Sequence, residues 1–167
     1  MLLRAICGLI RPTKGSVELD GRVLGKDMTF PESLGILLEN PGFIPEYTGM
    51  ENLKILAELR DVVKEEQIAA VMRKVGLDPD EKKKYRKYSL GMKQKLGIAA
   101  AIMEEPALIL LDEPTNALDV ESVERFRDIV RELRNEDRIL VIASHDMQEL
   151  DACCDEVFQM ENGRIRF

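Results

Sequence analysis

A continuous apolar segment that ends in two acidic residues restricts how this chain can fold. Residues 107–111 contain no polar side chain, and Asp112 and Glu113 follow directly. A strand that is apolar on both faces is typical of a parallel sheet covered by helices. Residues 139–143 form a second such segment, and an amphipathic helical pattern lies between the two. This alternation predicts an α/β fold with a parallel sheet.

Other patterns add shorter elements around these strands. Helical periodicity occupies residues 48–103 without a strand pattern between. We therefore predict a helical subdomain there, inserted into the single domain of residues 1–167. Similar criteria predict helices at residues 2–10, 65–75 and 90–103, strands at 16–19 and 35–38, capping boxes at Thr48/Glu51 and Asp146/Glu149, a helix end at Gly76, and hairpin turns at Asp20-Gly21 and Asn162-Gly163.

The composition predicts a soluble globular domain. The chain is 45% hydrophobic and 33% charged, as in ordinary globular proteins. The formal net charge of −7 at pH 7 predicts no nucleic-acid partner, because nucleic-acid binding needs a basic face. No apolar run approaches the ~18 residues of a membrane span, so we expect a cytoplasmic protein unless a partner holds it at a membrane. The three cysteines include no CxxC pair, which predicts free thiols.

The two carboxylates after residues 107–111 have a chemical interpretation. Ligands of α/β proteins bind at the carboxyl ends of the parallel strands. A carboxylate at Asp112 could hold Mg²⁺ beside the phosphates of a nucleotide, and Glu113 could orient and polarise an attacking water. The alternative is a buried strand that simply ends in acidic surface residues.

Two further positions carry the chemistry of phosphate binding. Ser89 and Gly91 lie at a helix start, where a hydroxyl and exposed amides can bind an anion. The alternative for Ser89 is a helix N-cap. His145 follows the second buried strand, so we expect it at the same sheet edge as Asp112, although a lone histidine is more often structural.

The order and spacing of these segments resemble those of the ATP-binding cassette (ABC) family over essentially the whole chain. Ser89-Leu90-Gly91-Met92 is similar to the family's signature motif. Residues 108–112 are similar to the Walker B strand, Glu113 stands in the place of the catalytic glutamate, and His145 in that of the switch histidine. Asn116-Ala117-Leu118-Asp119 is similar to the D-loop.

The resemblance implies the parallel sheet core of P-loop NTPases, with an inserted helical subdomain. It implies ATP and Mg²⁺ as cofactors, with Asp112 at the metal, Glu113 activating water and His145 sensing the γ-phosphate. Two such domains dimerise head to tail in the family. Ser89 and Gly91 would then bind the ATP that the second nucleotide-binding domain holds.

The resemblance also implies contacts with partners. Asp119 would lie at the dimer contact. Glu39 stands where the family has its Q-loop glutamine; its carboxylate could also ligate Mg²⁺ and would couple that site to the transmembrane permease. Residues 38–43 resemble the branch that exports antibiotic peptides such as bacitracin and lantibiotics. This resemblance predicts an exporter subunit, peripheral on the cytoplasmic face of the membrane.

Two departures from the family pattern affect the expected activity. No GxxxxGK(S/T) occurs in the sequence, and Met1 lies about where the last residues of that phosphate-binding loop would fall. We therefore expect a sheet without the P-loop strand, and no ATPase activity from these residues alone. The signature begins with Tyr88 and contains Leu90 and Met92. Two alternatives stay open: a truncated, non-hydrolysing cassette fragment, and an ABC ATPase outside transport.

Overall fold

Short strands and longer helices alternate along the chain. The computed structural model describes residues 1–38, 42–135 and 137–166. The strands are β1 (Glu18–Leu19), β2 (Arg22–Val23), β3 (Leu34–Leu37), β4 (Leu108–Asp112), β5 (Ile139–Ala143), β6 (Gln159–Glu161) and β7 (Arg164–Arg166). The helices are α1 (Leu2–Ile6), α2 (Gly49–Glu58), α3 (Glu65–Lys74), α4 (Leu90–Ile102), α5 (Val120–Leu133) and α6 (Met147–Cys153), with a 3-10 turn at Tyr85–Lys87.

A three-stranded sheet in the order β3-β4-β5 forms the centre of the fold. Both pairings are parallel, and the register places Leu37 opposite Leu111 and Asp112 opposite Ala143. Residues on both faces of β4 are buried: Ile109 packs in the cluster that contains α4 and α5, whereas Leu110 packs with α1 on the other face. The predicted α/β fold with a doubly covered parallel strand is confirmed.

Gly35 in β3 allows α4 to lie close against the sheet. A Cβ atom at this position would lie 1.8 Å from the carbonyl oxygen of Ala101 and 2.8 Å from Cγ of Pro106. Any side chain would therefore push the end of α4 away from β3. This contact fixes the distance between the sheet and α4, the helix that Ser89 caps.

Helices α2 and α3 pack on α4 through one apolar core. Leu53, Ile68, Met72 and Leu96 are each nearly or fully buried in it. The predicted capping box is present at α2, where Thr48 and Glu51 bond to each other's amides. The end of α3 is also as predicted, with Gly76 at a φ of 77°. The boundaries of a subdomain at residues 48–103 stay a prediction.

Helix α1 is shorter than the sequence pattern predicts. It ends at Ile6 rather than near residue 10, because Gly8 adopts a φ of 83° and turns the chain. The amides of Leu9 and Ile10 both donate to the carbonyl of Arg4 instead of continuing the helix. The pattern missed this because an apolar periodicity continues past the turn.

The predicted turns and caps are otherwise largely confirmed. Asp20-Gly21 and Asn162-Gly163 have positive φ angles and join the antiparallel pairs β1–β2 and β6–β7; Phe167 lies outside the described residues. Asp146 caps α6, but the reciprocal bond predicted for Glu149 is wrong. The buried Glu149 carboxylate bonds to Arg127 at 3.0 Å and accepts from the Cys153 thiol.

Two expectations from composition can be compared with the structure. The cysteines Cys7, Cys153 and Cys154 are free thiols, as predicted. Burial, together with the neighbouring Glu149, raises the pKa of Cys153 to about 12. Within the described residues, no helix has both the length and the apolar character needed to cross a membrane.

Candidate functional site

The carboxyl ends of β4 and β5 bring Glu113 and His145 together. Because Asp112 lies opposite Ala143, the residues that follow both strands leave the sheet at the same edge. The Glu113 amide donates to the carbonyl of Ala143 at 2.8 Å, which holds the two chain segments side by side past the ends of the strands. The predicted convergence at this edge is therefore seen for Glu113 and His145.

One carboxylate oxygen of Glu113 makes both contacts to His145. Oε1 accepts a bond from the His145 amide at 3.1 Å and lies 2.9 Å from the ring nitrogen Nδ1. This hydrogen bond, with the attraction of the negative charge, raises the pKa of His145. The imidazole is 81% exposed and the Glu113 side chain 33% exposed, so both groups are accessible from solution.

The backbone of Glu113 is unusual for a residue of its type. Its φ is 48°, in the left-handed region that non-glycine residues rarely occupy. A residue before a proline normally takes an extended conformation instead, and Pro114 follows here. Strained backbone of this kind often accompanies functional sites.

The loop after Glu113 leads into helix α5. The amide of Asn116 donates to the carbonyl of Glu113, and Ala117 has a φ of 65°. Asp119 caps α5 by accepting from the Ser122 amide at 2.8 Å, and hydrogen bonding from Ser122 lowers its pKa. Asp119 is exposed and has a structural role at this position, whereas its predicted place in a dimer contact stays a prediction.

Ser89 is the N-cap of α4, which was the alternative interpretation of this residue. Its hydroxyl accepts from the Met92 amide at 3.2 Å, and the side chain is exposed. Within the described residues, no hydrogen bond links Ser89 to Glu113 or His145. The cap does not exclude phosphate binding, because the hydroxyl and the other amides of the first turn still face solvent.

Gly91 places the start of α4 directly against the loop after β4. A Cβ atom at Gly91 would lie 2.8 Å from the carbonyl oxygen of Ala117. The absence of a side chain at Gly91 therefore permits this close approach. The Ser89–Gly91 segment and the loop after Glu113 are thus neighbours within one chain.

Sequence analysis missed two polar side chains that connect this region. The buried amide of Gln94 donates to the carbonyls of Glu113 and Pro114, at 2.9 Å and 3.1 Å. The buried hydroxyl of Tyr88 accepts from the Gly49 amide at 3.1 Å. A signal existed for Gln94, because it is a polar residue on the core-facing side of a predicted helix. Tyr88 gave no such signal beyond its departure from the signature pattern.

Asp112 was predicted from the sequence as a magnesium ligand, and this role stays a prediction. It is half-buried at the end of β4. Within the described residues, no three His, Cys, Asp or Glu side chains form a cluster that could hold a metal by themselves. A single carboxylate fits Mg²⁺, which typically takes one or two carboxylates and completes its shell with phosphate and water oxygens. Glu39, the other predicted ligand, lies outside the described residues.

Comparisons with known proteins agree on one family. The family model described as "ABC transporter" matches residues 1–116. An uncharacterized ABC transporter ATP-binding protein of Bacillus subtilis strain 168, YybJ, is 41% identical over 99% of this chain and 76% of its own length. The bacitracin transport ATP-binding protein BcrA of Enterococcus faecalis is 38% identical over 98% of this chain.

The chain spans 54% of the length of BcrA, about half of that relative. A solved structure described as the ATP binding subunit of an ABC transporter aligns with 98% of this chain and 70% of its own, with a TM-score of 0.86 and 24% identity. That structural likeness supports the fold.

Proposed function

This chain belongs to the ABC transporter family, and we propose that it is the ATP-binding and ATP-hydrolysing subunit of an exporter. The observation that carries this proposal is the Glu113 carboxylate, held beside His145 at the carboxyl edge of the parallel sheet. A carboxylate at this edge can act as a general base toward a water molecule. Membership of the family implies that this water attacks the γ-phosphate of ATP.

Glu113 would accept the proton of the attacking water. Its described contacts to His145 both use Oε1, which leaves the second carboxylate oxygen as the acceptor for the water proton. Asp112 would hold Mg²⁺, with Glu39 as a second ligand. The bound metal ion would neutralise charge on the phosphates.

His145 would respond to the γ-phosphate. Because its pKa is raised by Glu113, the protonated ring is favoured more than in a free histidine. A protonated imidazole donates from both nitrogens. Nδ1 would then donate to Glu113 while Nε2 is available to a phosphate oxygen, so the presence of the γ-phosphate is transmitted to the catalytic carboxylate.

Ser89 and Gly91 would bind the ATP of a second domain in a head-to-tail dimer. Ser89 is exposed at the start of a 13-residue helix, whose amides and dipole favour an anion. Asp119, exposed at the start of α5, would lie at the same dimer contact. The proposed dimer contact at Ser89 and Gly91 would lie next to the loop after Glu113, because Gly91 closely approaches Ala117 in that loop.

Residues 38–43 and the relatives support antibiotic peptides as the class of transported substrate. Their resemblance to antibiotic-peptide exporters agrees with the name of the bacitracin relative. A transmembrane permease would be the partner, Glu39 would couple the metal site to it, and the chain would lie on the cytoplasmic face. Since the sequence contains no GxxxxGK(S/T), we propose that these residues alone bind ATP weakly and hydrolyse little.

A substitution at Ser89 tests whether this residue binds the ATP that a second domain holds. In a version of this chain that carries a GxxxxGK(S/T) loop before Met1, Ser89→Arg should abolish ATP-driven dimerisation, measured by light scattering. The monomer's affinity for ATP should change by less than about twofold, because Ser89 touches the partner's nucleotide. Ser16→Arg, at an exposed loop residue, is the matched control. A loss of monomer affinity as large as the loss of dimerisation would contradict the proposed site.

A further inference from the structure

The buried side chain of Gln94 connects helix α4 to the residue proposed as catalytic base. Gln94 is 9% exposed. Its amide nitrogen donates to the Glu113 carbonyl at 2.9 Å and to the Pro114 carbonyl at 3.1 Å. The side chain therefore bonds to the carbonyls of two successive peptide units, Glu113–Pro114 and Pro114–Thr115.

These bonds act on a strained part of the chain. Glu113 has a left-handed backbone with a φ of 48°, and a proline follows it, so an extended conformation would be favoured in isolation. The Glu113 amide is held by the carbonyl of Ala143 at 2.8 Å. The Glu113 carbonyl accepts from Gln94 at 2.9 Å and, within its own loop, from the Asn116 amide at 3.1 Å. The residue is thus fixed from β5 on one side and from α4 on the other.

The backbone conformation of Glu113 determines where its carboxylate lies. In this conformation Oε1 reaches both the amide and the ring of His145. If the chain at Glu113 relaxed toward an extended conformation, the side chain would leave the backbone in another direction and these contacts would be lost.

We propose that Gln94 is a positioning residue that holds Glu113 in its left-handed conformation and so sets the place of the Glu113 carboxylate. This inference rests on the proposed hydrolytic function of Glu113. It deepens that function, because Gln94 lies on the same helix as Ser89 and Gly91. A displacement at the start of α4, where the partner's ATP would bind, is transmitted by Gln94 to Glu113 within the same chain.

The single histidine of the chain provides a probe that requires no nucleotide. Selective ¹⁵N labelling of histidine gives one backbone amide signal and one ring in the NMR spectrum. Glu113→Ala marks the positions of these signals when the carboxylate contact is absent. Gln94→Met keeps the length of the side chain and removes both donors, and it should move the His145 signals more than halfway toward those of Glu113→Ala.

Gln159→Met is the matched control, because Gln159 is exposed in β6. It should leave the His145 signals unchanged. In uniformly ¹⁵N-labelled samples of the Gln94 variants, the amide signals of α3 should stay in place, which distinguishes a local effect from loss of the fold. Folded Gln94→Met with His145 signals at wild-type positions would overturn the proposal. If Gln94→Met does not fold, Gln94→Asn replaces it, because its amide is one carbon too short to reach both carbonyls. Folded Gln94→Asn with His145 signals at wild-type positions would then overturn the proposal.

Steady-state hydrolysis separates this inference from the function on which it rests. In the version with a GxxxxGK(S/T) loop, Gln94→Met should lower kcat at least about tenfold, as expected for two lost hydrogen bonds, with KM changed by less than about twofold. An unchanged kcat would overturn the positioning role. Failure of the unsubstituted version to hydrolyse ATP would refute the proposed function instead, while the His145 signals would still decide the role of Gln94.

Discussion

Replacing Tyr88 by phenylalanine should destabilise the chain through a single buried hydrogen bond. The Tyr88 hydroxyl accepts from the Gly49 amide at 3.1 Å, and Tyr88 is only 6% exposed. The space beside Gly49 is filled, since a Cβ atom there would lie 3.2 Å from a methyl of Leu96 and 3.3 Å from that of Met72. Water therefore has little room to replace the lost hydroxyl.

The expected cost is that of a buried amide without a partner, about 1–3 kcal/mol. Urea denaturation would measure the free energy of unfolding, and the melting temperature should fall by about 2–4 °C for each kcal/mol. Tyr47→Phe is the matched control because Tyr47 is 41% exposed. If Tyr88→Phe stays within about 0.5 kcal/mol of the unsubstituted chain, the hydroxyl does not hold α2 against the start of α4, and the physical reason given for a tyrosine at this position is wrong.

Two further predictions follow from the sheet and from its carboxyl edge. Gly35→Ala should lower the free energy of unfolding by about 3 kcal/mol, because its Cβ would overlap Ala101. Gly42→Ala, with open space around it, should change it by less than about 1 kcal/mol in the same urea titration. An NMR titration should place the pKa of His145 above its ordinary value of about 6.5, and Glu113→Gln should lower it. Because the pKa of His145 is raised in the folded state, its contact with Glu113 stabilises the fold fully below the unfolded-state pKa of histidine. This contribution is lost as pH rises through the folded-state pKa. Equal unfolding curves for the unsubstituted chain and Glu113→Gln at every pH would contradict this prediction.

The central strands could be predicted because uninterrupted apolar segments in the sequence indicate strands that are buried on both faces. Residues 107–111 are apolar without interruption, and β4 is indeed buried on both faces. The turn at Asp20-Gly21 follows from local backbone preferences alone. Such features depend on a few neighbouring residues, so no knowledge of the tertiary structure is needed.

The end of α1 and the partner of Glu149 could not be predicted in this way. Gly8 ends the helix where its Cα approaches the carbonyl of Thr29, since a Cβ there would lie 2.7 Å from that oxygen. Glu149 is buried against Arg127, 22 residues earlier in the chain. A buried carboxylate requires a charged partner more than a helix amide does. Both outcomes depend on contacts that only the folded chain makes.

In the candidate site, too, some features could be predicted from the sequence and others could not. Placing Glu113 and His145 at one edge follows from parallel strands of equal length. The contact between them depends on the left-handed backbone at Glu113, and that in turn involves Gln94, a residue from another helix. The polar Gln94 on the core-facing side of its helix indicates that it needs a buried partner, but the sequence pattern does not identify that partner or the left-handed backbone at Glu113.

Substitution of the proposed catalytic base tests the central claim most directly. In the version that carries a GxxxxGK(S/T) loop, Glu113→Gln should reduce ATP hydrolysis at least about 100-fold, because an amide cannot accept the proton of water. ATP affinity, measured by calorimetry, should stay within about twofold, since the side chain keeps its shape. Glu46→Gln, at an exposed loop residue, should hydrolyse ATP at the unsubstituted rate. Near-normal turnover by Glu113→Gln would contradict the assignment of Glu113 as the base that activates water.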